Sequence, residues 1–239
     1  MTDRDHAIAL KNLSFQWGKG APVIDIEALT IAAGERAFIY GPSGCGKSTL
    51  LSLIAGILSP TSGYIGVMGE ALSDMSPGAR DRFRAEHLGV IFQTFNLLPF
   101  LSIIDNVRLG YSFAKERRAK LVGQGDGGAS EIGELLSKLG LPADTHNRPV
   151  RALSIGQQQR VAVARALIGS PALVIADEPT SALDSHARDR FLDLLLRQCD
   201  AAGSTLLFVS HDNSLAAHFD RSIDLAHANR ASMNDEEVV

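Results

Sequence analysis

Hydrophobic and polar positions follow two textures along the chain. RAFIY (36–40), LGVIFQ (88–93), ALVIAD (172–177) and TLLFVS (205–210) are short and nearly continuously apolar. A strand without a polar face is covered on both sides, as in a parallel sheet. Between these runs, residues 47–58, 132–139, 157–168 and 185–199 carry helical periodicity. Strands interleaved with helices predict an α/β fold, a mostly parallel sheet layered by helices. In such sheets the loops that follow the strands' carboxyl ends bind ligands. The opening stretches AIALKNLSFQW (7–17) and APVIDIEALTI (21–31) alternate roughly and predict an antiparallel β layer.

Residues 94–153 differ in texture and predict a mainly helical lobe inserted into the α/β core. It contains the basic run KERRAK (115–120) and the glycine-rich VGQGDGG (122–128). The basic run reads as a solvated helix face rather than a binding patch. The glycines predict a mobile turn near 123–128. The expected organisation is one domain over 1–239: core 1–93 and 154–230, lobe roughly 94–153, and an acidic, disordered tail over 231–239.

Composition narrows the function classes. With 239 residues, 45% of them hydrophobic, the chain can bury a substantial core. A net charge of −4 provides no global basic field, so no nucleic-acid partner is expected. Cys45 and Cys199 are too few for a disulfide framework, which suits a reducing cytosol. The polar, acidic N-terminus is not expected to be a secretory leader. Apolar runs such as LLSLIAGIL (50–58) fall far short of the ~20 residues of a membrane helix, so any membrane role is expected to come through a partner.

Three segments carry the candidate chemistry. GPSGCGKST (41–49) fits G-x-x-x-x-G-K-[ST] between a predicted strand and a predicted helix, the context a phosphate clamp requires. Gly41, Gly44 and Gly46 let backbone N–H groups turn inward, Lys47 reaches the β- and γ-phosphates, and Ser48 binds Mg²⁺. Pro42, Ser43, Cys45 and Thr49 complete the loop, with Cys45 a tolerated small side chain rather than a nucleophile. In LVIADEP (173–179), an apolar strand ends in two carboxylates. Asp177 is placed for the metal and Glu178 for polarising an attacking water. LSIGQ (153–157) has a serine and a glycine suited to a phosphate at a helix N-terminus, and Ser154 with Gln157 also fits a capping box. Both readings of that segment hold together.

The clamp, LSIGQQQR and LVIADEP, in this order and over nearly the whole chain, resemble the ATP-binding cassette ATPases, the motor subunits of ABC transporters. The resemblance implies a P-loop NTPase core, an antiparallel β subdomain and a helical lobe, with ATP and Mg²⁺ as ligands. It implies two copies paired head to tail, so that Ser154, Gly156, Gln157 and Asp184 serve the nucleotide of the partner chain. Gln93 matches the glutamine that contacts Mg²⁺ and water, and His211 the histidine at the γ-phosphate. Trp17 matches the aromatic that stacks on adenine, although Phe15 alternates with it and one of the two must face the core. Ile155 departs from the family's usual glycine and disfavours a positive φ.

SALD (181–184) matches the loop that crosses to the other subunit. The stretch 83–107 is similar to the lipoprotein-release and macrolide-efflux branch, while TSALD (180–184) is more typical of importers. Phe95, Leu97, Leu98, Phe100 and Leu101 read equally as lobe core or as a groove for a permease helix. The implied partner is a transmembrane permease, with the chain peripheral on the cytoplasmic face of the membrane. An importer ATPase, or a soluble cassette of the kind used in iron–sulfur assembly, remains open at this point.

Overall fold

A computed structural model of the protein describes residues 6–122, 128–181 and 183–233. The glycine-rich turn at 123–127, Ala182 of the SALD segment and the tail at 234–239 lie outside the described residues. In chain order the elements are β1 (His6–Gln16), β2 (Pro22–Ala32), β3 (Arg36–Tyr40), α1 (Lys47–Ile54), β4 (Ser62–Val67), β5 (Glu70–Ala71) and α2 (Pro77–His87). There follow β6 (Leu88–Ile91), α3 (Ile103–Ser112), α4 (Lys115–Val122), α5 (Ala129–Lys138), α6 (Ile155–Leu167), β7 (Leu173–Asp177) and α7 (Ser185–Ala202). The chain closes with β8 (Thr205–Val209), β9 (Arg221–Asp224), α8 (Leu225–Ala228) and α9 (Arg230–Met233). Two compact units result, one up to Asp81 and again from Thr205, the other Arg82–Ser204, with the division inside α2.

In the first unit β1, β2, β4 and β5 form an antiparallel sheet in the order β2-β1-β4-β5. Along β2 the buried residues fall in two alternating pairs, Ile24 with Ile26 and Leu29 with Ile31, and the period-2 pattern changes phase across the exposed Glu27 and Ala28. β1 departs from alternation, because Ala7, Ile8, Ala9 and Leu10 are all buried; small alanines let the second face of this central strand be covered too. Beyond this layer, β3 pairs in parallel with β8 (Phe38↔Phe208) and with β9 (Ile39↔Ile223). Phe38 packs on Phe219 and Phe208 with ring centroids 5.1 and 6.2 Å away, an aromatic cluster that anchors the strand leading into residues 41–46.

In the second unit β6 and β7 run parallel, from Leu88↔Leu173 to Ile91↔Ala176. Helix α6 crosses α3 at backbone contact: a Cβ on Gly110 would lie 2.2 Å from the Arg165 carbonyl oxygen. The basic run of α4 is only partly a solvated face. Arg117 turns inward, buried, and donates to the carbonyls of Ala85, Leu88, Ala166 and Ile168. Burial lowers its pKa to about 10 against the opposing pull of Glu86. The four carbonyls explain why a charge is tolerated there: they give its N–H donors acceptors away from water.

Gly63, at the start of β4, shows how tightly the antiparallel layer is drawn. Its φ is +89° and a Cβ would lie 2.1 Å from the carbonyl oxygen of Asn12. Gly63→Ala therefore adds a backbone clash to the ~1–2 kcal/mol of a left-handed L-residue. Urea denaturation is expected to show a loss larger than that figure.

Candidate nucleotide-binding site

Each unit carries part of the predicted constellation. In the first, β3 delivers the chain to residues 41–46, and α1 begins at Lys47. Gly44 and Gly46 are left-handed, with φ of 88° and 98°. A Cβ on Gly46 would sit 2.7 Å from the Ile24 Cδ1 and 3.1 Å from the Val23 carbonyl oxygen, so only glycine fits. The N-cap of α1 is Gly46, which has no side chain to cap the helix. Lys47, 8% exposed, donates from Nζ to the carbonyls of Gly41 and Pro42, both at 2.8 Å, holding its ammonium across the loop. A helix start with glycine at its N-cap, two left-handed glycines and a lysine bent over them fit a polyphosphate.

Ser43, Gly44 and Ser48 are exposed and Thr49 is half-buried, whereas Cys45 is buried beneath the loop. Burial pushes the Cys45 thiol's pKa up, outweighing the nearby charge of Lys47, so the sulfur stays protonated and is a poor nucleophile. Because β3 and β8 are parallel, with Ile39 opposite Val209, the residues after both strands leave at the same end. His211 thereby lines a cleft of about 250 Å³ together with Tyr40, Gly41, Pro42, Asn213, Asp224 and Ala226. Trp17, on the turn between β1 and β2, is 58% exposed and meets the buried Phe15 edge-on at 4.9 Å. Phe15 is thus the core member of the pair and Trp17 the available ring.

In the second unit the parallel pair β6 and β7 sends Gln93 and Asp177 out of one end. Asp177 closes β7, and Glu178 follows in a left-handed conformation, φ 43°, uncommon for a residue with a side chain. Ser154 caps α6 as a full capping box: its Oγ accepts from the Gln157 N–H at 3.3 Å, while Gln157 Oε1 accepts from the Ser154 N–H at 3.0 Å. Ile155 occupies the first turn of that helix in right-handed backbone, so this position does not demand the glycine whose absence stood out in the sequence. Ile155 is 57% exposed, and a Cβ on Gly156 would meet nothing within 4 Å. Asp184 caps α7 by accepting from the Ala187 N–H at 2.8 Å.

Two residues that sequence reasoning passed over hold these loops. Gln159, 2% exposed on α6, donates to the Pro179 carbonyl at 2.7 Å, one residue after Glu178. Arg165, whose pKa is lowered by burial, forks onto the carbonyls of Phe95 and Asn96, both at 2.6 Å. Phe95 and Asn96 are both left-handed, with φ of 59° and 47°. The signal in the sequence was slight: both are polar side chains bordering the apolar run 161–164 of α6.

The ABC transporter family matches residues 25–181. The chain belongs to that family. Among relatives of this cassette, the lipoprotein-releasing system ATP-binding protein LolD 1 of Caulobacter vibrioides is 41% identical over 205 residues, 83% of this chain and 82% of its own. The macrolide export ATP-binding/permease protein MacB of Escherichia coli is 38% identical over 91% of this chain, which spans 33% of MacB's length. A dimeric structure of the bacterial ABC transporter cassette MJ0796 superposes with a TM-score of 0.80 at 34% identity, covering 91% of this chain and 93% of that one. A dimeric post-hydrolysis state of MJ0796 bound to ADP and Pi also gives 0.80, at 32% identity and 94% and 95% coverage. This chain is therefore an ATP-binding, ATP-hydrolysing cassette with a P-loop NTPase fold. Among the described residues no helix is long and apolar enough to cross a membrane.

Arg165 is open to a direct test. Two consecutive left-handed side-chain-bearing residues cost about 1–2 kcal/mol each, comparable with the ~1.5–3 kcal/mol of each hydrogen bond to a charged donor. Arg165→Ala is expected to lower stability by about 2–4 kcal/mol in urea. Arg165→Lys recovers less than half of that, because an ammonium cannot fork onto two carbonyls.

Proposed function

We propose that this cassette is the motor subunit of a membrane ABC transporter of the lipoprotein-release and macrolide-export kind, working as a head-to-tail pair of copies. The observation that carries the pairing is that the chain has two phosphate-suited helix starts, in separate units: α1 behind its glycine N-cap Gly46, and the solvent-facing first turn of α6 behind Ser154. One nucleotide uses the first from its own chain and the second from the other chain. The dimeric MJ0796 structures and the names of LolD and MacB support the pairing and the permease partner. The exposed Phe100 and Phe113 support a permease-facing surface on or beside the lobe at 94–153. Through the permease the subunit works at the cytoplasmic face of the membrane.

In this reading the amides of 41–49 and the α1 N-terminus take the phosphate charge, and Lys47 exchanges its two carbonyl partners for phosphate oxygens. Ser48, Asp177 and Gln93 hold Mg²⁺. Bound MgATP supplies the phosphoanhydride to be cleaved and the cation that neutralises charge on it. A magnesium held by one hydroxyl, one carboxylate, one amide and phosphate oxygens requires no cluster of acidic or histidine ligands. Glu178 polarises the attacking water, His211 contacts the γ-phosphate and Trp17 stacks on adenine. From the partner chain Ser154, Gly156, Gln157 and Asp184 close over the nucleotide.

Glu178→Gln is expected to keep ATP affinity within a few-fold while turnover falls by about 10²–10⁴; turnover within a few-fold of the parent would remove Glu178 from the water-polarising role. In that background ATP accumulates unhydrolysed and drives association by mass action. Light scattering is expected to show monomer without nucleotide and dimer with ATP and Mg²⁺. Adding Ser154→Arg returns monomer with ATP binding intact, since the bulk falls where the other chain's phosphate sits. Loss of ATP binding by the isolated Ser154→Arg chain would overturn the assignment of this segment to the partner's nucleotide.

A further inference from the structure

The C-terminal segment is wired into the nucleotide-binding unit through one side chain. Asn229, between α8 and α9, is 0% exposed. Its Nδ2 donates to the Val23 carbonyl at 2.8 Å, the Cys45 carbonyl at 3.1 Å and Ser232 Oγ at 3.1 Å. Its Oδ1 accepts from the Asp25 N–H at 2.7 Å and the Ala231 N–H at 3.3 Å. Ser232 Oγ adds a second donor to the Cys45 carbonyl at 3.3 Å. The phosphate loop rests on this amide, since a Cβ on Gly46 would lie 3.4 Å from Nδ2. Outside, Arg230 pairs with Asp25 at 2.9 Å and Glu27 at 3.1 Å, fastening the same segment to β2.

Val23 and Asp25 open the strand that follows the Trp17 turn, and Cys45 lies inside the phosphate loop. The two ends of a nucleoside triphosphate are joined by one covalent chain, which bounds the distance between them. A protein that grips both ends with loops must set the distance between those loops, or lose affinity through misplacement. Glycine-rich and turn segments do not hold a spacing by themselves; a buried amide with a donor on each can.

We propose that Asn229 is a positioning residue for nucleotide binding, fixing the spacing between the phosphate loop and the Trp17 turn. This rests on reading residues 41–49 and Trp17 as the grips on phosphate and base. Trp17 is the chain's one tryptophan, so its fluorescence reports the base end directly.

The test titrates the full chain with ATP and with inorganic triphosphate, following binding by calorimetry and Trp17 fluorescence. Asn229→Ala is expected to raise the Kd for ATP about tenfold, the loss of one to two net hydrogen bonds. The Kd for triphosphate, which reaches only the loop, rises less than threefold. In steady-state hydrolysis KM for ATP rises more than kcat falls. Asn229→Asp keeps the acceptor and the shape but loses the donors to Val23 and Cys45, so it reproduces the ATP effect and decides the matter if the alanine variant does not fold. ATP affinity within twofold of the parent in Asn229→Asp overturns the proposal, and so does equal weakening of ATP and triphosphate. Lys47→Ala is the control for the underlying reading: it loses ATP binding if residues 41–49 are the phosphate clamp. Unchanged ATP affinity in Lys47→Ala would sink that reading instead, whatever Asn229 does.

Discussion

A loop that aims its N–H groups at an anion must dispose of its carbonyl groups, because the same turns that bring donors inward leave acceptors pointing elsewhere. Buried acceptors without donors cost about 1–3 kcal/mol each. Here the phosphate loop's carbonyls are met from behind: Gly41 and Pro42 by Lys47, Cys45 by Asn229 and Ser232. The left-handed glycines then need not be held by the ligand, and the loop keeps its form through fixed hydrogen bonds. Lys47 belongs to both sides of this balance, since in its proposed role the two carbonyls it holds here are the partners it would exchange for a phosphate.

The second unit solves the same problem with different side chains. Helix α6 carries Gln159 to the Pro179 carbonyl and Arg165 to the carbonyls of Phe95 and Asn96, while Arg117 meets the carbonyls of Ala166 and Ile168 at its far end. One helix thus grips the segment after Gln93 and the segment after Glu178, and presents the Ser154 capping box at its own start. The first turn of α6 and both loops are attached to one packed element. Within one chain this links the surface proposed to serve the partner's nucleotide to the residues proposed to serve its own.

The sequence announced the elements more readily than their attachments. RAFIY is β3 to the residue, and ALVIAD and TLLFVS each overrun their strands by one residue, because buried parallel strands are apolar without interruption. Helix α6 begins two residues before its apolar periodicity, at the point where the Ser154 capping box starts it. What stayed hidden is long-range and polar. Asn229 lies more than 180 residues from both Val23 and Cys45, and nothing in HANR marks its partners. Arg117 sits in a run whose charge density reads as solvent-facing, and only the convergence of four carbonyls turns it inward. Local pattern encodes which side chains are apolar; it does not encode where distant backbone acceptors will need a donor.

Glu178 brings these threads to one residue. A left-handed backbone costs a non-glycine residue about 1–2 kcal/mol, and glutamate has no short side chain to hydrogen-bond locally in compensation. The conformation is held instead by its surroundings: the Ser181 N–H donates to the Glu178 carbonyl at 3.3 Å, and Gln159 fixes the Pro179 carbonyl beside it. Asp177, still within the strand, follows the sheet's geometry, so the two carboxylates leave on different trajectories although adjacent in sequence. In the proposed roles, Asp177 for the metal and Glu178 for the water, the two must not compete for one position, and separating them takes either distance along the chain or a sharp turn between neighbours. The strand end of β7 provides such a turn, and among the described residues of the loop the left-handed backbone falls at Glu178.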